Sequence, residues 1–88
     1  MRLKPGLIRH QVCGEHMAVA TGEAGKVFRG MIRNNATADT LLELLMEETT
    51  EEAVVEAMYQ KYDADRERIA ADVHQVIQHL RQAGLLQE

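Results

Sequence analysis

Cys13 and His16 form the one pair in this 88-residue chain whose types and spacing suit a metal ion or a thiol nucleophile. A structural zinc takes four nitrogen or sulfur ligands, and no second pair lies at a suitable spacing. A catalytic thiol needs an orienting partner and an activating environment, which a sequence does not display. The two residues therefore read as strand-end positions beside a turn. His74 and His79 lie five apart on a predicted helix and diverge by about 140° around its axis, which removes them as co-ligands. Glu47, Glu48, Glu51 and Glu52 gather carboxylates, but a calcium loop needs regularly spaced oxygen ligands and a central glycine. They read as solubilising and capping residues. Gly22 and Gly25 lack the following Lys-Ser/Thr and the parallel-sheet setting of a phosphate-cradling loop. No catalytic residue, metal ligand or cofactor site emerges, so the chain reads as a binder and not as an enzyme.

The composition agrees with one small domain over residues 1–88. A chain of this length buries only about 60–65% of its unfolded surface, so modest stability is expected. The 45% hydrophobic content still fills one core. With Phe28, Tyr59 and Tyr62 as the only aromatics and no Trp, that core must be mainly Leu, Ile, Val, Met and Ala. No apolar run approaches the roughly 18–20 residues of a membrane span, and the N-terminus shows no signal-peptide core. A lone Cys13 cannot staple the fold and suits a reducing compartment, so the cytoplasm is the expected location. Charge is divided along the chain. Residues 1–35 carry six Lys/Arg and two Glu, whereas residues 36–88 carry four Lys/Arg and twelve Asp/Glu. The formal total of −4 argues against general affinity for nucleic acid.

The elements that position these residues follow from periodicity. Strands are expected at about 7–13, 16–21 and 27–33, with Gly14-Glu15 as a hairpin connection and Gly22-Glu23-Ala24-Gly25 as a loop. In the third, Phe28, Gly30 and Ile32 alternate with Val27, Arg29, Met31 and Arg33. Three short sequential strands form an antiparallel meander whose third member is an edge. Helices are expected at about 37–48, 50–62 and 65–83. Thr37 caps the first, Thr49 with Glu52 forms a capping box for the second, and Asp63 or Asp65 caps the third. Ile69, Val73, Val76, Ile77 and Leu80 make the apolar stripe of the third helix, which Gly84 stops. The fold class is α+β and winged-helix-like: a three-stranded antiparallel meander followed by three helices.

Such a part list permits three uses. A winged-helix DNA-binding regulator would present Arg or Lys on its recognition helix. Here the second helix sets three Glu against Lys61, and the third balances Asp65, Glu67 and Asp72 against Arg66, Arg68 and Arg81, so both are poor DNA probes. An open edge strand also permits a plain dimerisation or scaffold domain, as a monomer in equilibrium with a weak or swapped dimer. The third use is peptide capture, in which an extended peptide joins the edge and a neighbouring groove selects its side chains.

Several stretches together resemble the PqqD family. They are Lys4-Pro5-Gly6 with its strand, Phe28-Arg29-Gly30-Met31-Ile32-Arg33-Asn34-Asn35, and Thr37 followed by Leu41-Leu42-Glu43-Leu44-Leu45. Thr49-Thr50-Glu51-Glu52, Tyr62-Asp63, Asp72-Val73 and Leu80-Arg81-Gln82-Ala83-Gly84-Leu85-Leu86 complete the pattern, which covers nearly the whole chain. The first helix lacks the Trp often seen in the family, and Leu44 or Leu45 must fill its space. The resemblance implies a recognition element for ribosomally made, post-translationally modified peptides. Such an element grips the leader of a precursor peptide on the third strand and third helix. It presents the precursor to a maturase, often a radical SAM enzyme, without doing chemistry. Carried over by position, the strand contacts are Val27, Phe28, Arg29, Gly30, Met31, Ile32 and Arg33. The helix contacts are Ile69, Asp72, Val73, Val76, Ile77 and Leu80. Arg29 and Arg33, from the basic half, would favour a leader with acidic residues.

Overall fold

The computed structural model describes residues 1–27 and 31–88. In chain order the elements are β1 (Arg2–Leu3), β2 (Leu7–Val12), β3 (Glu15–Ala20), α1 (Gly22–Val27), β4 (Met31–Asn34), α2 (Ala36–Leu44), α3 (Glu51–Lys61), α4 (Arg66–Gln82) and β5 (Leu86–Gln87). β2, β3 and β4 form an antiparallel sheet in sequential order, and β1 pairs with β5 in a separate two-stranded sheet.

The β2–β3 hairpin turns at Cys13 (φ 51°) and Gly14 (φ 79°). Two successive left-handed residues make a type I′ turn, whose twist matches that of the strands it joins. The turn lies one residue earlier than the Gly14-Glu15 connection expected from the sequence, so Val12 pairs with Glu15. Residues flanking such a turn form a hydrogen-bonded pair, and bonded pairs then alternate with non-bonded ones. By this alternation His10–Met17 and Ile8–Val19 are bonded pairs, and Leu7, Arg9 and Gln11 turn their backbone groups to the outer edge. Carried across β3, the same alternation bonds His16 to Asn34 and Ala18 to Ile32. Met31 and Arg33 therefore hold their N–H and C=O groups outward.

Two expectations from the sequence are corrected between β3 and β4. Gly22-Glu23-Ala24-Gly25 is not a loop but most of α1, whose Ala24 is buried and donates its N–H to the Pro5 carbonyl at 3.1 Å. Val27 is the last residue of that helix and not the first of a strand. The strand expected at 27–33 is thus β4, at 31–34, while Phe28, Arg29 and Gly30 lie outside the described residues. A short alternating run satisfies strand and helix patterns alike, and the small residues before Val27 let the chain wind into a turn of helix.

The helix boundaries shift by a residue or two for local reasons. Asn35, not Thr37, caps α2: its Oδ1 accepts from the Ala38 N–H at 2.7 Å. Thr50, not Thr49, caps α3, its Oγ1 accepting from the Ala53 N–H at 3.1 Å. Asp65 stands at the N-cap of α4 without a side-chain capping bond. Gly84 (φ 77°) ends α4 as expected. Its N–H reaches the Arg81 carbonyl and that of Leu85 reaches the Leu80 carbonyl, each at 3.0 Å, which satisfies two otherwise orphaned acceptors.

The core lies between the sheet and the helices, and Leu45, Ile77, Leu85, Val54 and Val73 are its most enclosed side chains. Of the two leucines at the end of the first expected helix, Leu45 is fully buried and Leu44 packs partly buried against the core. Leu3 and Leu85, on either side of the small β1–β5 sheet, are buried as well. The Leu3 N–H donates to the Leu45 carbonyl at 2.8 Å and the Lys4 N–H to the Leu85 carbonyl at 2.7 Å, tying both ends of the chain to the helices.

Candidate functional site

β4 ends one side of the three-stranded sheet, and among the described residues no strand lies beyond it. The outward groups of Met31 and Arg33 offer two donors and two acceptors to an added strand. At Asn35, the residue after β4, a groove of about 510 Å³ opens between α2, α3 and α4. Its floor is Leu41 of α2, Met58 of α3, and Ile69 and Val73 of α4, all buried. Along its rim stand Thr37, Asp63, Arg68, Asp72 and Gln75. An apolar floor with a few polar groups at the edge is the general build of a recognition pocket.

Two contacts hold the walls, one made by Tyr62, which itself lines the groove, and one by Asp39 on the far side of α2. The Tyr62 hydroxyl lies 3.1 Å from Thr40 Oγ1, which joins the end of α3 to α2. On the opposite side of α2, Asp39 Oδ2 accepts from Arg9 Nη1 at 2.9 Å and lies 3.5 Å from His16 Nδ1. The carboxylate is largely buried, so this charged contact is worth more than an exposed pair and holds α2 against the sheet. Its second oxygen, Oδ1, is buried without a hydrogen-bond partner among the described residues. The carboxyls with shifted titration lie away from the groove. A hydrogen bond from Gln60, with Arg66 beside it, holds Glu56 below the usual range, and Arg81 does the same to Glu88.

The apolar stripe of α4 divides between two tasks. Ile69 and Val73 serve the core and the groove together, and Val76 and Asp72 line the groove from one flank. Ile77 and Leu80, expected as contacts, face the core instead, with 0% and 6% of their surface exposed, and do not line the groove. At this end of α4 the Leu85 N–H bonds back to the Leu80 carbonyl, and Leu80, Ile77 and Leu85 are buried together in the core. Val27 lies 46% exposed on α1, its side chain close to Gly84 and outside the groove. Met31, Ile32 and Arg33 are on β4 as expected. Arg33 pairs with Glu15 across the sheet at 2.9 Å, both side chains exposed. The sequence reading missed the contribution of α2 and α3, although Leu41 and Met58 were legible as members of apolar stripes.

Among the described residues, no group of three His, Cys, Asp or Glu side chains could hold a metal ion. Cys13 is exposed at its turn, while the His16 ring turns to Asp39. No described helix is long and apolar enough to cross a membrane.

The family model described as coenzyme PQQ synthesis protein D (PqqD) matches residues 17–86. No curated protein matches the chain. Among solved structures, the chain is similar to one described as "TbiB1 in Complex with the TbiA(beta) Leader Peptide", at 20% identity and a TM-score of 0.75. That match covers 99% of this chain and 95% of the other. It is similar also to "Lasso peptide synthetase B1 complexed with the leader peptide", at 18% identity and a TM-score of 0.72, over 99% of this chain and 96% of that one.

Proposed function

The chain belongs to the PqqD family, and on that premise we propose that it binds the leader region of a ribosomally made precursor peptide. The observation that carries the reading is the unpaired β4 edge running into an apolar groove. Met31 and Arg33 receive the peptide backbone as a further strand, while Ile69, Val73 and Val76, with Leu41 and Met58, receive its apolar side chains. Two outward residues supply at most four backbone bonds, each worth about 0.5–1.5 kcal/mol net. The groove must therefore furnish much of the affinity and most of the selectivity. Both similar structures were solved with leader peptides, which supports this reading.

The protein acts by holding and not by chemistry. A leader gripped here raises the effective concentration of its precursor at a modifying enzyme that binds the same assembly. A radical SAM maturase is the expected enzyme for this family.

Two substitutions test the edge and the groove separately, against a synthetic peptide from the nearest short open reading frame that encodes a leader. Met31→Pro removes an outward donor, so affinity should fall about tenfold, or ~1.4 kcal/mol, with an unchanged circular-dichroism spectrum. Val76→Glu places a charge on the groove wall at a half-buried position and should weaken binding by at least about tenfold. Full affinity in both variants would rule the site out.

A further inference from the structure

The charges around the groove bear on which leaders it can accept. Three charged residues line it: Asp63, between α3 and α4, and Arg68 and Asp72 on α4, all of them exposed. Among the described residues, none of the three takes part in an ion pair. Arg66, the nearest further cation in the chain, is bound to Glu56 and lies 5.3 Å from the centre of the Tyr59 ring. From Asp63 to Asp72 the sequence sets four carboxylates against two arginines. On β4, by contrast, Arg33 already has Glu15 at 2.9 Å. The unanswered charge therefore sits on the groove rim, and it is negative. The floor adds a second constraint. Leu41, Met58, Ile69 and Val73 are buried, and no polar or charged residue is buried among the described residues. A charge driven into that floor would find no partner and would cost several kcal/mol, on the order of a buried unpaired polar group. Lys and Arg meet both conditions, because their alkyl stems lie along apolar surface while their heads stay in water. Asp and Glu are shorter and meet like charge at Asp63 and Asp72.

We propose that Asp63 and Asp72 are specificity-determining residues of the groove, and that they select a leader with a Lys or Arg beside its apolar anchor. The proposal rests on the leader-binding reading of the groove and names the side-chain class that the groove prefers. The division of charge along the chain acts in the same direction. Residues 36–88, which form the groove apart from Asn35, carry four Lys/Arg and twelve Asp/Glu, so their field draws a basic segment to the helices. Arg68 lies one turn before Asp72 on the same helix face and opposes a dense run of basic residues. The preference is thus for a single cation next to an apolar side chain and not for a polycation.

Selection from a random dodecapeptide display library on the immobilised full chain tests this. The unmodified protein should enrich peptides that join a bulky apolar residue to Lys or Arg. Asp63→Asn combined with Asp72→Asn should still enrich the apolar residue but lose the basic one. Glu47→Gln combined with Glu52→Gln makes the same change in net charge at two exposed residues that do not line the groove. That pair should leave both preferences intact. For the best enriched peptide, affinity for the Asp63/Asp72 double variant should fall about three- to tenfold at low salt. The difference should shrink in 1 M salt, where charges are screened beyond about 3 Å. Exchanging the peptide's basic residue for Glu should weaken binding to the unmodified protein and restore it in Asp72→Lys, a rescue that a purely structural role would not produce. Equal enrichment of Lys and Arg by the two double variants would overturn the proposal, since general attraction to an acidic chain would then explain it. Enriched apolar peptides without a basic residue would overturn it too, while leaving peptide capture in place. A library from which nothing is enriched would remove the groove reading itself, and this proposal with it.

Discussion

At the scale of single residues, the hairpin tip carries a mismatch between side chain and backbone. Cys13 adopts a left-handed conformation (φ 51°) that disfavours residues with a Cβ atom, whereas Asn tolerates it and is the preferred first residue of a type I′ turn. The thiol is free and exposed. Cys13→Asn should therefore stabilise the protein by roughly 0.5–1 kcal/mol. Urea unfolding should show a higher midpoint with an unchanged slope. A lower midpoint would mean that the thiol contributes something the geometry does not show. The same residue explains why the turn was misplaced in the sequence reading. Gly14-Glu15 holds the glycine, and nothing in the types of Cys13 and Gly14 announces that both take positive φ.

The elements matter through their ends, because α2 begins where the groove opens. Asn35 both caps α2 and stands at the groove mouth, so its loss loosens the wall that carries Thr37, Ala38 and Leu41. Thr50 makes the equivalent capping bond for α3 at the end remote from the groove. Each change to Ala should cost about 1 kcal/mol of stability. Only Asn35→Ala should also weaken leader binding, by several-fold; isothermal titration on both variants separates the two effects. Equal loss of affinity in the pair would mean that global stability, and not the α2 wall, governs binding. Long elements were the legible ones. The stripe of α4 was readable because seventeen residues repeat the helical period several times, and Ile69, Val73, Ile77 and Leu80 are all buried. β1 and β5 were not readable, since strands of two residues carry no period and form only because the two ends of the chain meet. α1 was hidden by Gly22 and Gly25, whose composition favours a loop until Ala24 finds a buried seat beneath Pro5.

For the whole molecule, function follows from an arrangement that no single element contains. From sequence, the edge strand was expected at 27–33, where the structure has β4 at 31–34, and the apolar stripe of the last helix was legible, but not which flank of that helix meets the core. The sequence reading therefore counted Ile77 and Leu80 as contacts and left out Leu41, Met58 and Tyr62, whose part depends on how three helices cross. The central claim is that an incoming leader completes the sheet at β4, and amide hydrogen exchange followed by NMR tests it most directly. Ile32 and Asn34 already bond to β3, whereas the Met31 and Arg33 amides point outward, so the four residues of one strand act as their own control. With leader bound, exchange at Met31 and Arg33 should slow by at least tenfold, while Ile32 and Asn34 change far less and shifts spread along residues 69–76. Binding that leaves the Met31 and Arg33 amides exchanging as fast as in the free protein would contradict the account.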